Sequence, residues 1–248
     1  MDHNEYIRYI PGSKYALLMV HGIAGTPAHF RGLYPVIPED WSVYNILLDG
    51  HSGTVMDFAR SSMKKWKDQV EKQLAELLKK HQSVLILAHS MGTLFAIQAA
   101  IRHPDRIPGL FLLQVPLAPH LPLRTCISSL QVAFGRIKPG SPAEAMANGT
   151  ALTLTPKLWQ YLAWLPRFVE LFREIAYTKK LLPKLAVPTR SYPSQNDELV
   201  SFRSLKYLEG HPYIANTLLP HSGHFAYSPE DLQILQTHLA EMIKTATG

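Results

Sequence analysis

Apolar and polar positions alternate between two periodicities along this chain. Compact apolar runs bounded by turn residues recur near 5–10, 15–20, 42–48, 84–88, 109–115, 187–192 and 213–219, and each predicts a strand. Residues from about 57 to 80 change period: Trp66, Val70, Leu74, Leu77 and Leu78 fall on one helical stripe, which predicts packing against a sheet. Leu232, Leu235, Leu239 and Ile243 do the same in the last predicted helix, with Ser228 as cap and Pro229 in the first turn. Strands alternating with helices imply an α/β class with a mostly parallel sheet. No internal repeat and no low-complexity segment interrupts the series.

From Pro116 to about Pro183 the pattern breaks. Proline and aromatic residues dominate, and the alternation is lost. Thr155-Pro156 predicts a helix start, and Pro166 should end that helix and begin another. Both helices would be apolar on most sides, so they must bury against something. Ordinary packing accounts for most of these side chains. Some of Trp159, Trp164, Phe168 and Phe172 are also candidates to line an apolar pocket, because an insertion after the 109–115 strand lies at the ligand end of such a sheet.

Chemistry concentrates where the run Val84–Ala88 meets His89-Ser90-Met91-Gly92 and then a helical pattern, Thr93 to Ala100. Strand, sharp turn and helix are the setting of a nucleophile elbow, in which the turn lifts a serine Oγ off the sheet. Positions two before and two after the serine must be small, and here they are Ala88 and Gly92. A serine nucleophile needs a base, and the base needs an acid to hold its tautomer. Asp197 follows the predicted strand 187–192 in a turn-rich loop, and His224 follows the strand 213–219. Their order after the serine is acid, then histidine. His221 is a rival base, and Asp49 and Glu198 are rival acids. His221-x-x-His224 is also half of a metal-binding spacing, but no supporting carboxylate or cysteine pattern accompanies it. Upstream, the strand 15–20 runs into His21-Gly22-Ile23-Ala24-Gly25-Thr26. Its glycines let the Ile23 amide turn back to join that of Met91 in facing a developing oxyanion.

Taken in order, His21-Gly22-Ile23-Ala24-Gly25-Thr26, Asp49-Gly50-His51-Ser52-Gly53, Ala88-His89-Ser90-Met91-Gly92, Asn196-Asp197-Glu198-Leu199-Val200 and Ser222-Gly223-His224 resemble the α/β-hydrolase superfamily of carboxylesterase and monoacylglycerol lipase type. The resemblance implies an α/β-hydrolase core over 1–117 and 186–248 and a small helical cap or lid insertion over 118–185. It implies Ser90 as nucleophile, Asp197 as acid, His224 as base, and Ile23 and Met91 amides at the substrate oxygen. One departure is Ser194, where the family usually has glycine before the acid. His21 and His51 lie in loops that shape the site and are expected to serve as structural hydrogen bonders. His89 is expected to point away from the serine, and Asp231 to serve only the dipole at a helix start.

The expected activity is hydrolysis of carboxylic esters of short to medium acyl chains through an acyl-enzyme. It calls for no cofactor and no metal, and its partner is a small-molecule ester. Monoacylglycerol lipase, thioesterase and amide or peptide hydrolase activities use the same residues and remain open. So does a ligand-binding receptor of the same fold.

The 248 residues suffice for one such domain with a modest insertion. Cys126 is the only cysteine, so no intramolecular disulfide forms. The polar, acidic start lacks the features of a secretory signal, and no apolar run approaches a membrane span; the expectation is a cytoplasmic protein without stable membrane insertion. A net charge of +6 raises nucleic acid or an anionic membrane as partners. The lysine clusters Lys64-Lys65-Lys67 and Lys79-Lys80 stand among Asp68, Glu71 and Glu76, which is the composition of a solvated helix face. Without a phosphate loop or a basic-aromatic repeat, nucleic acid is not expected. Oligomeric state is left open.

Overall fold

The computed structural model describes residues 3–120 and 123–247. All seven expected strands form: β1 (Tyr6–Arg8), β2 (Tyr15–Val20), β3 (Ser42–Ile46), β4 (Ser83–His89), β5 (Leu110–Leu113), β6 (Thr189–Tyr192) and β7 (Ile214–Asn216). They build one sheet in the order β1-β3-β2-β4-β5-β6-β7. Only β1 runs antiparallel to its neighbour. The apolar runs are continuous because both faces are covered. Leu18, Val20, Ile86, Ala88 and Leu112 face one core layer, while Leu17, Met19, Leu85, Leu87 and Phe111 face the other.

The first layer is covered by α2 (Met63–Lys80) and α3 (Met91–Arg102), the second by α7 (Pro229–Thr247) and a 3-10 helix over Pro27–Val36. The helix expected over 57–80 is two helices, because α1 (Val55–Arg60) stops at Ser61 and α2 restarts one residue later. Ser62 caps α2 by accepting the Lys65 amide at 3.1 Å. On α2, Trp66, Val70, Leu74 and Leu77 are buried as the stripe requires.

Between β5 and β6 the chain makes α4 (Leu123–Ala133), α5 (Pro142–Asn148), a 3-10 helix over Leu158–Trp164 and α6 (Leu165–Leu181). Thr155-Pro156 does not start an α-helix. Thr155 Oγ1 accepts the Lys157 amide, and the 3-10 turns that follow run directly into α6, with Pro166 in its first turn. Among the described residues no helix is long and apolar enough to cross a membrane.

Candidate active site

The turn after β4 carries the strain that its sequence predicts. Ser90 has φ 50° and ψ −123°, a conformation that costs a non-glycine residue about 1–3 kcal/mol. Surrounding bonds hold it there: its amide donates to Leu113 C=O at 2.9 Å, and its carbonyl accepts from the Thr93 amide and hydroxyl. A Cβ on Gly92 would stand 2.3 Å from Val20 C=O, and one on Gly22 would stand 2.8 Å from Ser90 Cβ. Strand end, loop and elbow therefore touch, and only hydrogen fits at the two contact points. Ala88, two residues before the serine, is fully buried in the sheet, and its methyl fits.

Asp197 and His224 come together from loops after β6 and β7. His224 Nδ1 lies 3.0 Å from both Asp197 carboxylate oxygens, and both side chains are almost wholly buried. This contact puts the proton on Nδ1 and leaves Nε2 as the basic nitrogen. Asp197 Oδ1 also accepts the Leu199 and Val200 amides at 2.8 and 2.6 Å, which fixes the carboxylate. The rivals lie elsewhere. His221 is exposed, while Asp49 accepts from the Ser61 hydroxyl at 2.7 Å and pairs with Lys65. Glu198 holds the His224 backbone, accepting its amide at 2.6 Å. Among the described residues no group of His, Cys, Asp and Glu could hold a metal ion.

Several residues that hold the site gave no signal in the sequence. Asp231 is fully buried and does more than serve a helix dipole. Its Oδ2 accepts from the Ser222 hydroxyl at 2.6 Å and the His221 amide at 2.9 Å, anchoring the loop that carries His224. Next to it runs a buried polar chain. His89 Nε2 donates to His224 C=O at 3.2 Å, and the His89 ring lies between those of His224 and His29, centroids 4.7 and 3.8 Å away. His29 Nε2 meets Tyr227 Oη at 2.6 Å, Tyr227 donates to Gln114 Oε1, and Gln114 Nε2 donates to Ser194 Oγ at 2.6 Å. Because Tyr227 uses its proton on Gln114, His29 must be the donor. Ser194 is thus a partner in this chain, and its φ is not positive, so it fills the usual glycine position without strain.

Burial sets the protonation of this cluster. It pushes His29 down to about 3, helped by the positive potential of His224 and His21, and His21 down to about 4 against a bond to Gly22 C=O. His89 and His51 are likewise held well below the ordinary histidine value by burial. His21 and His51 act as expected of hydrogen bonders: His21 accepts the Leu48 amide at 3.0 Å, and His51 bonds Asp49 C=O.

The two amides expected to face an oxyanion belong to the first residue of α3 and to the loop after β2. Met91 opens α3, where an N–H has no acceptor within the helix and the dipole is positive. Ile23 is the second residue of a turn closed by Gly25 N–H to Gly22 C=O at 3.1 Å, with Ala24 at φ 52°. The Ile23 amide has no acceptor inside that turn.

A family model for the alpha/beta hydrolase fold matches residues 15–217. The chain belongs to the α/β-hydrolase fold family. Among its relatives is a thermostable monoacylglycerol lipase of Bacillus sp. (strain H-257), 24% identical over 197 residues, covering 77% of this chain and 74% of that one. The architecture also matches a solved structure from work on the metagenome-derived lipolytic enzymes LipS and LipT, at 21% identity and TM-score 0.74, with 98% of each chain covered. A monoacylglycerol lipase of Paleococcus ferrophilus matches at 15% identity and TM-score 0.68, over 99% of this chain and 100% of that one.

In this α/β hydrolase the aromatic residues between β5 and β6 divide. Trp164 turns inward: its Nε1 donates to Val55 C=O at 2.8 Å, and its ring lies 4.6 Å from that of Phe58. Trp159, Phe168 and Phe172 are exposed, so of the four aromatic candidates only Trp164 faces inward. Ile23, Ala24, Leu154 and Trp164 are half-buried against the core layer that includes Met91.

Proposed function

We propose that this α/β hydrolase is a lipase- or esterase-type serine hydrolase acting on carboxylic esters, with residues 118–185 as its cap. The observation that carries this is the pairing of His224 Nδ1 with the Asp197 carboxylate at 3.0 Å, with the His224 carbonyl held by His89, the residue before the strained, elbow-borne Ser90. The lipolytic relatives support the same reading. Ser90 Oγ attacks the acyl carbon as His224 Nε2 takes its proton. The Ile23 and Met91 amides bind the oxygen as the carbonyl becomes tetrahedral. Collapse breaks the ester C–O bond, and His224 protonates the departing alcohol. Water then attacks the acyl-enzyme, again giving up its proton to His224, and the acid leaves with Ser90 restored. Asp197 keeps the imidazole oriented and stabilises it when it is charged. The sequence of steps calls on no metal or cofactor.

Short to medium acyl esters and monoacylglycerols are the proposed substrates, since Ile23, Leu154 and Trp164 are half-buried apolar groups packed against the core layer that includes Met91 and would offer a small apolar wall. Such a wall discriminates by only about 1–3 kcal/mol per methylene. Ser90→Ala should abolish fluorophosphonate labelling and lower kcat for p-nitrophenyl butyrate by about a thousandfold or more, with the thermal melt unchanged. Retention of a tenth of the activity would remove Ser90 from this role.

A further inference from the structure

The chain's excess positive charge is segregated. Residues 118–185 hold nine lysines and arginines against three glutamates, a surplus of six, whereas the remaining residues hold sixteen of each sign. The whole +6 of the protein therefore belongs to the inserted helices. The lysine-rich α2 holds six lysines against three acidic residues, but four of its lysines are paired: Lys64 with Asp68, Lys65 with Asp49, Lys79 with Glu76, and Lys67 with Glu174. Two of the three glutamates of the insertion face inward, Glu174 to Lys67 and Gln98, and Glu170 to Arg167 and the Met63 amide. The third, Glu144, accepts the Gly140 amide. Arg136, Lys138, Lys157, Arg173 and Lys180 stand exposed.

The same helices expose apolar stripes. On α6, Leu171 and Ile175 are buried, while Leu165, Val169 and Phe172 lie in solvent at helical spacing, 58%, 48% and 57% exposed. The preceding 3-10 turns add Trp159 and Leu162, each 66% exposed. At about 100° per residue, Arg173 and Lys180 flank the α6 stripe on one side. On α4, Ile127 and Leu130, with Phe134 just beyond its end, form a second exposed series, and Arg136 and Lys138 follow it directly. A soluble monomer seldom leaves so many large apolar side chains outward on one insertion.

We propose that the outer face of the inserted helices is a reversible docking surface for anionic lipid bilayers. Apolar side chains enter the interface, where a Trp ring is favoured, and the surrounding cations meet lipid phosphates. Charge selects this occupant. A second copy docked by the same face would set one surplus of six positive charges against another, whereas an anionic surface neutralises it. The surface contains none of the residues given chemical roles above, so docking stands or falls independently of Ser90.

The test is cosedimentation of the protein with vesicles of phosphatidylcholine alone and of phosphatidylcholine mixed with phosphatidylglycerol, at low and high salt. Binding to the mixed vesicles should be on the order of tenfold tighter than to neutral ones, and salt should release it. Leu162→Asp with Phe172→Asp, and separately Lys157→Glu with Arg173→Glu, should each weaken binding on the order of tenfold and leave p-nitrophenyl butyrate hydrolysis unchanged. Both pairs are exposed, so a melt that matches the parent confirms folding. No binding to the mixed vesicles, equal binding to both kinds, or binding indifferent to both double variants would overturn the proposal. So would a dimer in sedimentation velocity that the Leu162→Asp, Phe172→Asp variant dissolves.

Discussion

At the scale of single residues, the site is held by groups that place other groups. Ser90 can keep a strained backbone because Leu113, Thr93 and the contacts of Gly22 and Gly92 surround it. His224 is fixed twice through its backbone, by Glu198 at its amide and His89 at its carbonyl, and once through its ring by Asp197. This arrangement separates the two histidines of the His221-x-x-His224 pair. His224→Ala should cost as much activity as loss of Ser90, since the two act as a unit, whereas His221→Ala should retain most of it. A kinetic comparison giving the opposite order would reassign the base. The polar chain makes a second demand. Tyr227→Phe leaves both the His29 N–H and Gln114 Oε1 without their partner, at a cost of about 1–3 kcal/mol for buried groups. The melting temperature should drop measurably and kcat should fall with little change in KM. An unaltered melt would mean that the chain adds nothing to stability. Ser90, Asp197 and His224 were legible in the sequence because each follows a recognisable strand. His29, Gln114 and Tyr227 were not, because their partners are separated by 80 to 198 residues along the chain.

At the scale of elements, periodicity located every strand, since a strand buried on both faces is a short, dense apolar run. The same logic misjudged α1 and α2 as one helix. The apolar stripe continues across the break, and only the capping by Ser62 and the stop at Ser61 divide it. The insertion was the least legible part. Its helices leave apolar side chains in solvent, so hydrophobic spacing does not tell their inward face from their outward one. Trp159, 66% exposed, illustrates this: Trp159→Ala should leave the acyl-chain preference on soluble esters unchanged, while Trp164→Ala should move it toward longer chains. A panel of p-nitrophenyl esters of rising length reads both. Loop anchoring is the other element-scale device. Asp231 ties the first turn of α7 to the loop bearing His224 through Ser222 and the His221 amide. Position in a first helical turn suggested only a dipole contribution, because nothing in the local sequence shows that the side chain reaches back ten residues.

For the whole molecule, the decisive quantity is the number of neutral histidines buried around one elbow. His21 and His29 titrate at about 4 and about 3, and His51 and His89 are also lowered, in each case chiefly because burial penalises the charged ring. In the unfolded chain the same side chains take up protons near their ordinary value of about 6.5. Between that value and the native ones the unfolded state binds more protons, so stability rises with pH and is lost on acidification. The loss begins as pH falls below about 6.5 and continues until the native rings themselves protonate, near 4 for His21 and 3 for His29. The melting temperature should therefore decline from about pH 7 to about pH 5. In His29→Gln, the amide can still donate to Tyr227, but one titrating group is gone. Its slope over the same interval should be shallower than that of the parent, by the contribution of about one proton, even if its absolute stability is lower. Parallel slopes for the two proteins would show that His29 is not held neutral by the fold, and a melt independent of pH over this range would remove the buried cluster as the source of acid sensitivity.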